Sequence, residues 1–105
     1  MLGAAAADTL QVKIYDLRDE QGRVFAFEIE NITIGRKGVI QFLPSIPDVR
    51  VVSSPREDEF CIFMVRDRRF VVWEPWGDNS RFWIGPDPAE WCPEVSVVRE
   101  AFAAR

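Results

Sequence analysis

The chain has 105 residues, 48% of them apolar and 29% charged, and a formal net charge of −4. That length and composition make one domain able to bury a core without metals or disulfides, and they exclude a disordered chain. The acidic balance excludes bulk electrostatic attraction to nucleic acid or anionic membrane, and the lack of any histidine removes the commonest general base and metal ligand.

The 12% aromatic share favours strands, where flat side chains pack on a pleated face. The two cysteines, Cys61 and Cys92, are too few for a disulfide scaffold. Cys61 alternates with Phe60 and Ile62, which suits a buried free thiol; pairing with Cys92 stays open. Residues 1–8 read as a loose N-terminal tail, too short for a signal peptide's apolar region, and residues 9–105 as a single β-rich domain. No stretch approaches the roughly 18 uncharged apolar residues of a membrane span, so the expectation is a cytoplasmic protein.

In chain order, residues 9–17 alternate, with Leu10, Val12 and Ile14 on one side and Gln11, Lys13 and Tyr15 on the other, the pattern of a half-buried strand. Residues 18–23 form a turn in which Gly22 is available for a positive φ. Residues 24–30 resume the alternation with Phe25, Phe27 and Ile29 inward, and pair with the first strand as a hairpin. Ile32 and Ile34 then carry the apolar side on the opposite parity, which predicts a bulge or tight bend at Glu30-Asn31. Gly35-Arg36-Lys37-Gly38 reads as a hairpin turn between strands at 32–34 and 39–43. Pro44 and Pro47 mark a loop or edge, residues 49–53 a short strand, and residues 54–59 a polar loop.

Residues 59–86 are the densest apolar run and hold three of the four tryptophans. They predict three antiparallel strands, with turns at 66–69 and 76–80. The expected pairings are Val65 with Phe70, Phe63 with Val72, Trp73 with Ile84 and Glu74 with Trp83. One side of the first pair then holds Phe63, Val65, Phe70 and Val72, and the other Ile62, Met64, Val71 and Trp73. Both sides are apolar, so each needs a cover or a partner. Arg66 and Arg69 become cross-strand neighbours.

Asp87-Pro88-Ala89-Glu90 offers a cap, a proline at the first helical position and a following acid, so it predicts a helical turn carrying Trp91. Val95, Val98 and Phe102 recur at helical spacing in a final helix over residues 93–104. The fold expected is mainly β with α+β character. It is a strongly bent antiparallel sheet, or a partly open barrel or roll, of six to eight strands with one C-terminal helix packed on it. That outline resembles the pleckstrin-homology-type roll in the order of its elements alone.

Chemistry is sparse. No base stands beside a serine or cysteine, so nucleophilic catalysis has no candidates and no catalytic residue is assigned. Glu74 and Asp78, near Trp76 and Trp83, are the only carboxylate pair worth weighing as acid and base, and a strand residue plus a turn residue explains them better. Glu57, Asp58 and Glu59 lack the spacing of metal ligands, and no metal or cofactor is expected. Ile34-Gly35-Arg36 is similar to the opening of the forkhead-associated domain, but that family continues with Ser-x-x-His and this chain has no histidine.

The leading expectation is a small non-enzymatic protein-interaction module (an adaptor, inhibitor or immunity-type protein) acting by surface contact with a protein partner or with itself. The residues assigned to that contact are Trp76, Arg81, Trp83, Arg66 and Arg69, because Trp and Arg dominate binding hot spots. Trp73 and Trp91 are assigned to the core. A module for an anionic lipid headgroup or nucleotide, using the basic turns, is the alternative, and a carboxylate-based enzyme ranks third.

Overall fold

The computed structural model describes residues 12–32, 34–53, 59–74 and 80–105. Six strands form one antiparallel sheet: β1 (Ile14–Arg18), β2 (Val24–Glu30), β3 (Val49–Ser53), β4 (Glu59–Val65), β5 (Arg68–Trp73) and β6 (Arg81–Pro86). Helix α1 (Arg36–Phe42) and a 3-10 turn (Leu43–Ser45) run between β2 and β3, and α2 (Glu94–Ala103) closes the chain. The strand order is β1-β2-β6-β5-β4-β3, so the sheet is open, with β1 and β3 at its edges. The N-terminal hairpin and the later meander lie side by side, joined by β2 pairing with β6.

Local chemistry accounts for the first hairpin. Asp19 accepts the backbone N–H groups of Gln21 and Arg23, each at 2.9 Å, and Gly22 adopts φ 80°. The side-chain period of two then sends Phe27 and Ile29 to one face, opposite Ile84 and Phe82 of β6. On β4 and β5 the same face carries Phe63 opposite Phe70 and Cys61 opposite Val72. Val95, Val98 and Phe102 of α2 pack on it, with Val39 of α1 and Leu43 of the 3-10 turn. The Phe102 ring lies 5.9 Å from Phe27 and 4.8 Å from Phe42. Each such fully buried side chain contributes roughly 1.5–3 kcal/mol from removal of its surface from water. Arg99 ties α2 to β1 by donating to both oxygens of Asp16, at 2.8 and 3.0 Å.

Several expectations hold: the first hairpin, the strand at 49–53, the three-stranded meander and the final helix. Among the described residues the sheet has six strands and does not close into a barrel. Both cysteines are free and buried. Residues 1–11, which include the whole expected tail and the start of the expected first strand, and 54–58 lie outside the described residues.

The segment expected as a hairpin over 32–43 is instead α1 and the 3-10 turn. Val39 and Leu43 are four apart and both fully buried. A helix sends them to the core together, with Phe42 beside them, and Pro44 sits at the start of the 3-10 turn. Gly35 stands at the N-cap and its carbonyl accepts the Val39 N–H at 3.0 Å. The parity slip near Asn31 is therefore the end of β2: Asn31 donates its N–H to Ser80, Ile34 turns inward, and Ile32 is left 85% exposed.

The meander keeps its strands but changes register. A two-residue turn at Arg66-Asp67 pairs Val65 with Arg68 and Phe63 with Phe70. That shift of two residues preserves each face. On the other side Trp73 pairs with Trp83 and Val72 with Ile84. The expected Trp73–Ile84 pairing was one residue off and had placed a core isoleucine on the tryptophan side. Arg66 and Arg69 are not cross-strand neighbours, since Arg69 stands opposite Met64.

The segment from Asp87 to Glu90 forms no helix. Asp87 is tied to β5 instead of capping: its N–H donates to the Arg69 carbonyl at 3.0 Å, and its carboxylate accepts Arg69 Nε at 3.2 Å. The Asp87-Pro88 peptide is cis. Trp91 is not core: it is 39% exposed and stacks with Arg23, whose guanidinium carbon lies 4.7 Å from the ring centroid. Trp73 is half-buried on the face away from the helices. No helix among the described residues is long and apolar enough to cross a membrane.

Candidate functional site

The second face of the sheet follows from the same alternation. Leu17 stands opposite Ala26, Tyr15 opposite Glu28, Glu28 opposite Trp83 and Trp83 opposite Trp73. Further along, Ile62 stands opposite Val71, and Met64 lies between Arg50 and Arg69. Among the described residues, both helices pack on the other face. Ile62 and Val71 are nevertheless buried, while Leu17, Met64, Trp73 and Trp83 are half-buried.

Two tryptophans dominate the middle of this face. The Trp73 and Trp83 ring centroids are 6.0 Å apart with the planes tilted by 52°, a favourable edge-inclined arrangement. The Trp83 indole leans along β6 over Gly85, where no side chain obstructs it. Beside the tryptophans lies a polar cluster. Tyr15 donates its hydroxyl to Glu30 at 2.7 Å, and Arg81 lies 3.6 Å over the Tyr15 ring with its guanidinium 3.1 Å from Glu28. These contacts hold the Arg81 fork in one place, which lowers the entropy lost when such a side chain meets a partner.

Of the residues expected to make partner contact, Arg81 and Trp83 are brought together here. Trp76 lies outside the described residues. Arg69 shares the face but stands at the opposite end of the sheet, bound to Asp87. Arg66 lies in the β4–β5 turn, where it donates Nε to Asp48 at 3.2 Å. The residues not selected from sequence are Trp73, Met64 and Arg50. The signal for Trp73 and Met64 was present in the alternation of β4 and β5, which already grouped Ile62, Met64, Val71 and Trp73; Arg50 of β3 carried none. Arg50 is exposed, and no ion pair holds it among the described residues.

The two basic turns do not converge. Arg36 begins α1 and pairs with Glu74, just beyond the C-terminal end of β5, whereas Arg66–Arg69 surround its N-terminal end. Glu74 is engaged by that guanidinium, and Asp78, its expected catalytic companion, lies outside the described residues. Burial pushes the Cys61 thiol up to about 11 and also raises that of Cys92, so both are protonated at neutral pH and are poor nucleophiles. Among the described residues no group of three or more acidic, cysteine or histidine side chains is placed to hold a metal ion. No family profile, curated protein or solved structure matches the chain.

Proposed function

We propose that the protein is a non-enzymatic interaction module that binds a protein partner through the sheet face opposite the described helices α1 and α2. One observation carries this reading. Trp73 and Trp83 stand side by side on a face whose middle is apolar and whose margins carry Arg50, Arg69 and Arg81. Tryptophan and arginine around an apolar centre is the composition of binding hot spots. A rigid sheet presents them without a loop to order on binding.

The test is comparative affinity capture from the source cell with four baits: wild type, the face variants Met64→Glu and Trp73→Glu, and the helix-side control Gln41→Glu. The reading expects a protein retained by wild type and control and lost by both face variants. Retention that ignores the face variants overturns it. Sedimentation of the same proteins reads self-association: a dimer abolished by Met64→Glu makes the partner a second copy.

A further inference from the structure

A second feature lies away from that face, where the β1–β2 turn meets the segment leading into α2. A cleft of about 380 Å³ is lined by Asp19, Arg23, Phe25, Ala89, Glu90 and Trp91. A neighbouring cleft of about 250 Å³ shares Arg23 and Trp91 and reaches Arg18, Arg99 and Glu100 on its far side. Trp91 is thus an exposed aromatic wall between two hollows.

The cations of these hollows already have partners, and one carboxylate has only a distant one. Arg99 is held by both oxygens of Asp16, at 2.8 and 3.0 Å, and Arg23 Nε by Asp19 at 3.1 Å. Arg18 donates to the Gly22 carbonyl at 2.8 Å. An anionic guest would have to compete with partners that these guanidiniums already hold. Asp19 is also spent, on Arg23 and on the turn's own N–H groups. Glu90 is not: its side chain is 64% exposed, and its nearest cation, Arg68, stands 3.9 Å away. What the larger cleft offers a guest is therefore one carboxylate and two aromatic walls, Phe25 and Trp91. The stacking of Arg23 on Trp91 shows that the ring accepts a guanidinium.

We propose that this cleft receives a lysine or arginine side chain from an extended basic segment of a partner protein. The aliphatic stem lies against Phe25 and Trp91, and the charged head meets Glu90. The chain's net charge of −4 draws such a segment in. The site stands apart from the sheet face, so either reading can fail without the other.

The experiment titrates the full chain with an acetylated hexa-arginine peptide and with hexaglutamate, followed by calorimetry and tryptophan emission. Saturable binding of hexa-arginine is expected at about 10 mM salt and is largely lost at about 0.5 M, where charges are screened within a few ångströms. Hexaglutamate does not bind. Glu90→Gln weakens binding about fivefold, the worth of an exposed charge pair, and Trp91→Ala about tenfold. Trp91→Phe falls between wild type and alanine. Should Trp91→Ala lose the native circular dichroism spectrum, Glu90→Gln, a change on an exposed side chain, decides. No saturable hexa-arginine binding, equal binding of hexaglutamate, or wild-type affinity in Glu90→Gln overturns the proposal.

Discussion

The indole of Trp83 lies so close over Gly85 that a Cβ built at Gly85 would stand 2.8 Å from the ring's Cη2 and 2.7 Å from the Ala26 Cβ. Gly85 is needed for space rather than for backbone freedom. It lets the tryptophan fold down along its own strand and settle against Trp73. The prediction is that Gly85→Ala destabilises the protein by about 1–3 kcal/mol, the usual cost of overpacking, and shifts tryptophan emission in the native state. Urea unfolding with fluorescence detection measures both. An unchanged midpoint with unchanged emission refutes the account.

Gly38 has a similar conflict with a different resolution. It lies inside α1, where alanine gains about 1 kcal/mol over glycine in intrinsic propensity. Its added Cβ would meet Ile34 Cγ1 at 2.7 Å, and Ile34 is itself buried. Gly38→Ala should therefore destabilise by about 1 kcal/mol despite the helix propensity. In an Ile34→Ala background the obstructing atom is gone, and the same change should stabilise. Thermal or urea midpoints of the four proteins read the change of sign.

Asp16 and Arg99 join the edge strand to α2 through two hydrogen bonds, with side chains 20% and 35% exposed. Screening by solvent limits such a pair, so Asp16→Ala should cost about 1 kcal/mol. Arg18→Ala, which removes a guanidinium 3.9 Å from the same carboxylate at a more exposed position, should change stability by less than about 0.5 kcal/mol. A double-mutant cycle over Asp16 and Arg99 isolates the coupling. A value indistinguishable from zero would show that the helix is held by its apolar side alone.

The Cys61 thiol supplies a pH dependence. Its folded-state pKa is raised by burial from 9.0 to about 11, so the folded chain favours the protonated thiol more strongly than the unfolded chain does. The associated stability is fully present below about pH 9 and is lost as pH rises from there through about 11. Urea midpoints of wild type should fall more steeply across that window than those of Cys61→Ala. At pH 8 the native protein should react slowly with a thiol reagent and the urea-unfolded protein rapidly. Parallel slopes for the two proteins would count against this.

The parts legible in the sequence are those governed by a repeat along one segment. In β4 and β5, alternation grouped Phe63, Val65, Phe70 and Val72 against Ile62, Met64, Val71 and Trp73. That grouping survives a register error of two residues because the strand period is two. The β5–β6 register was off by one, and there the faces were exchanged. The stretch from Ile32 to Leu43 was misread because short apolar runs fit both periods. The glycines at 35 and 38 suggested a turn, whereas Gly35 caps the helix and Gly38 lets Ile34 approach it.

Of the candidate face, the sequence supplied Arg81 and Trp83 as a pair and the apolar surplus of the meander. It did not supply their setting. The Tyr15–Glu30 contact crosses the first hairpin, but the Arg81–Glu28 contact spans 53 residues and exists only because β2 pairs with β6. Trp91 was misplaced for the same reason. Its surroundings are set by Arg23 of the first hairpin, 68 positions earlier in the chain (91 − 23).

The sequence by itself determined which side chains share a face of each strand and which side of α2 is apolar, since dihedral geometry and side-chain period are local properties of the backbone. Only the tertiary structure decided that the hairpin and the meander lie in one sheet and that, among the described residues, helices α1 and α2 pack on the side of it away from Trp73 and Trp83. Strand order and helix placement depend on contacts between distant segments, each with its own loop-closure entropy and packing fit, and no local repeat encodes them.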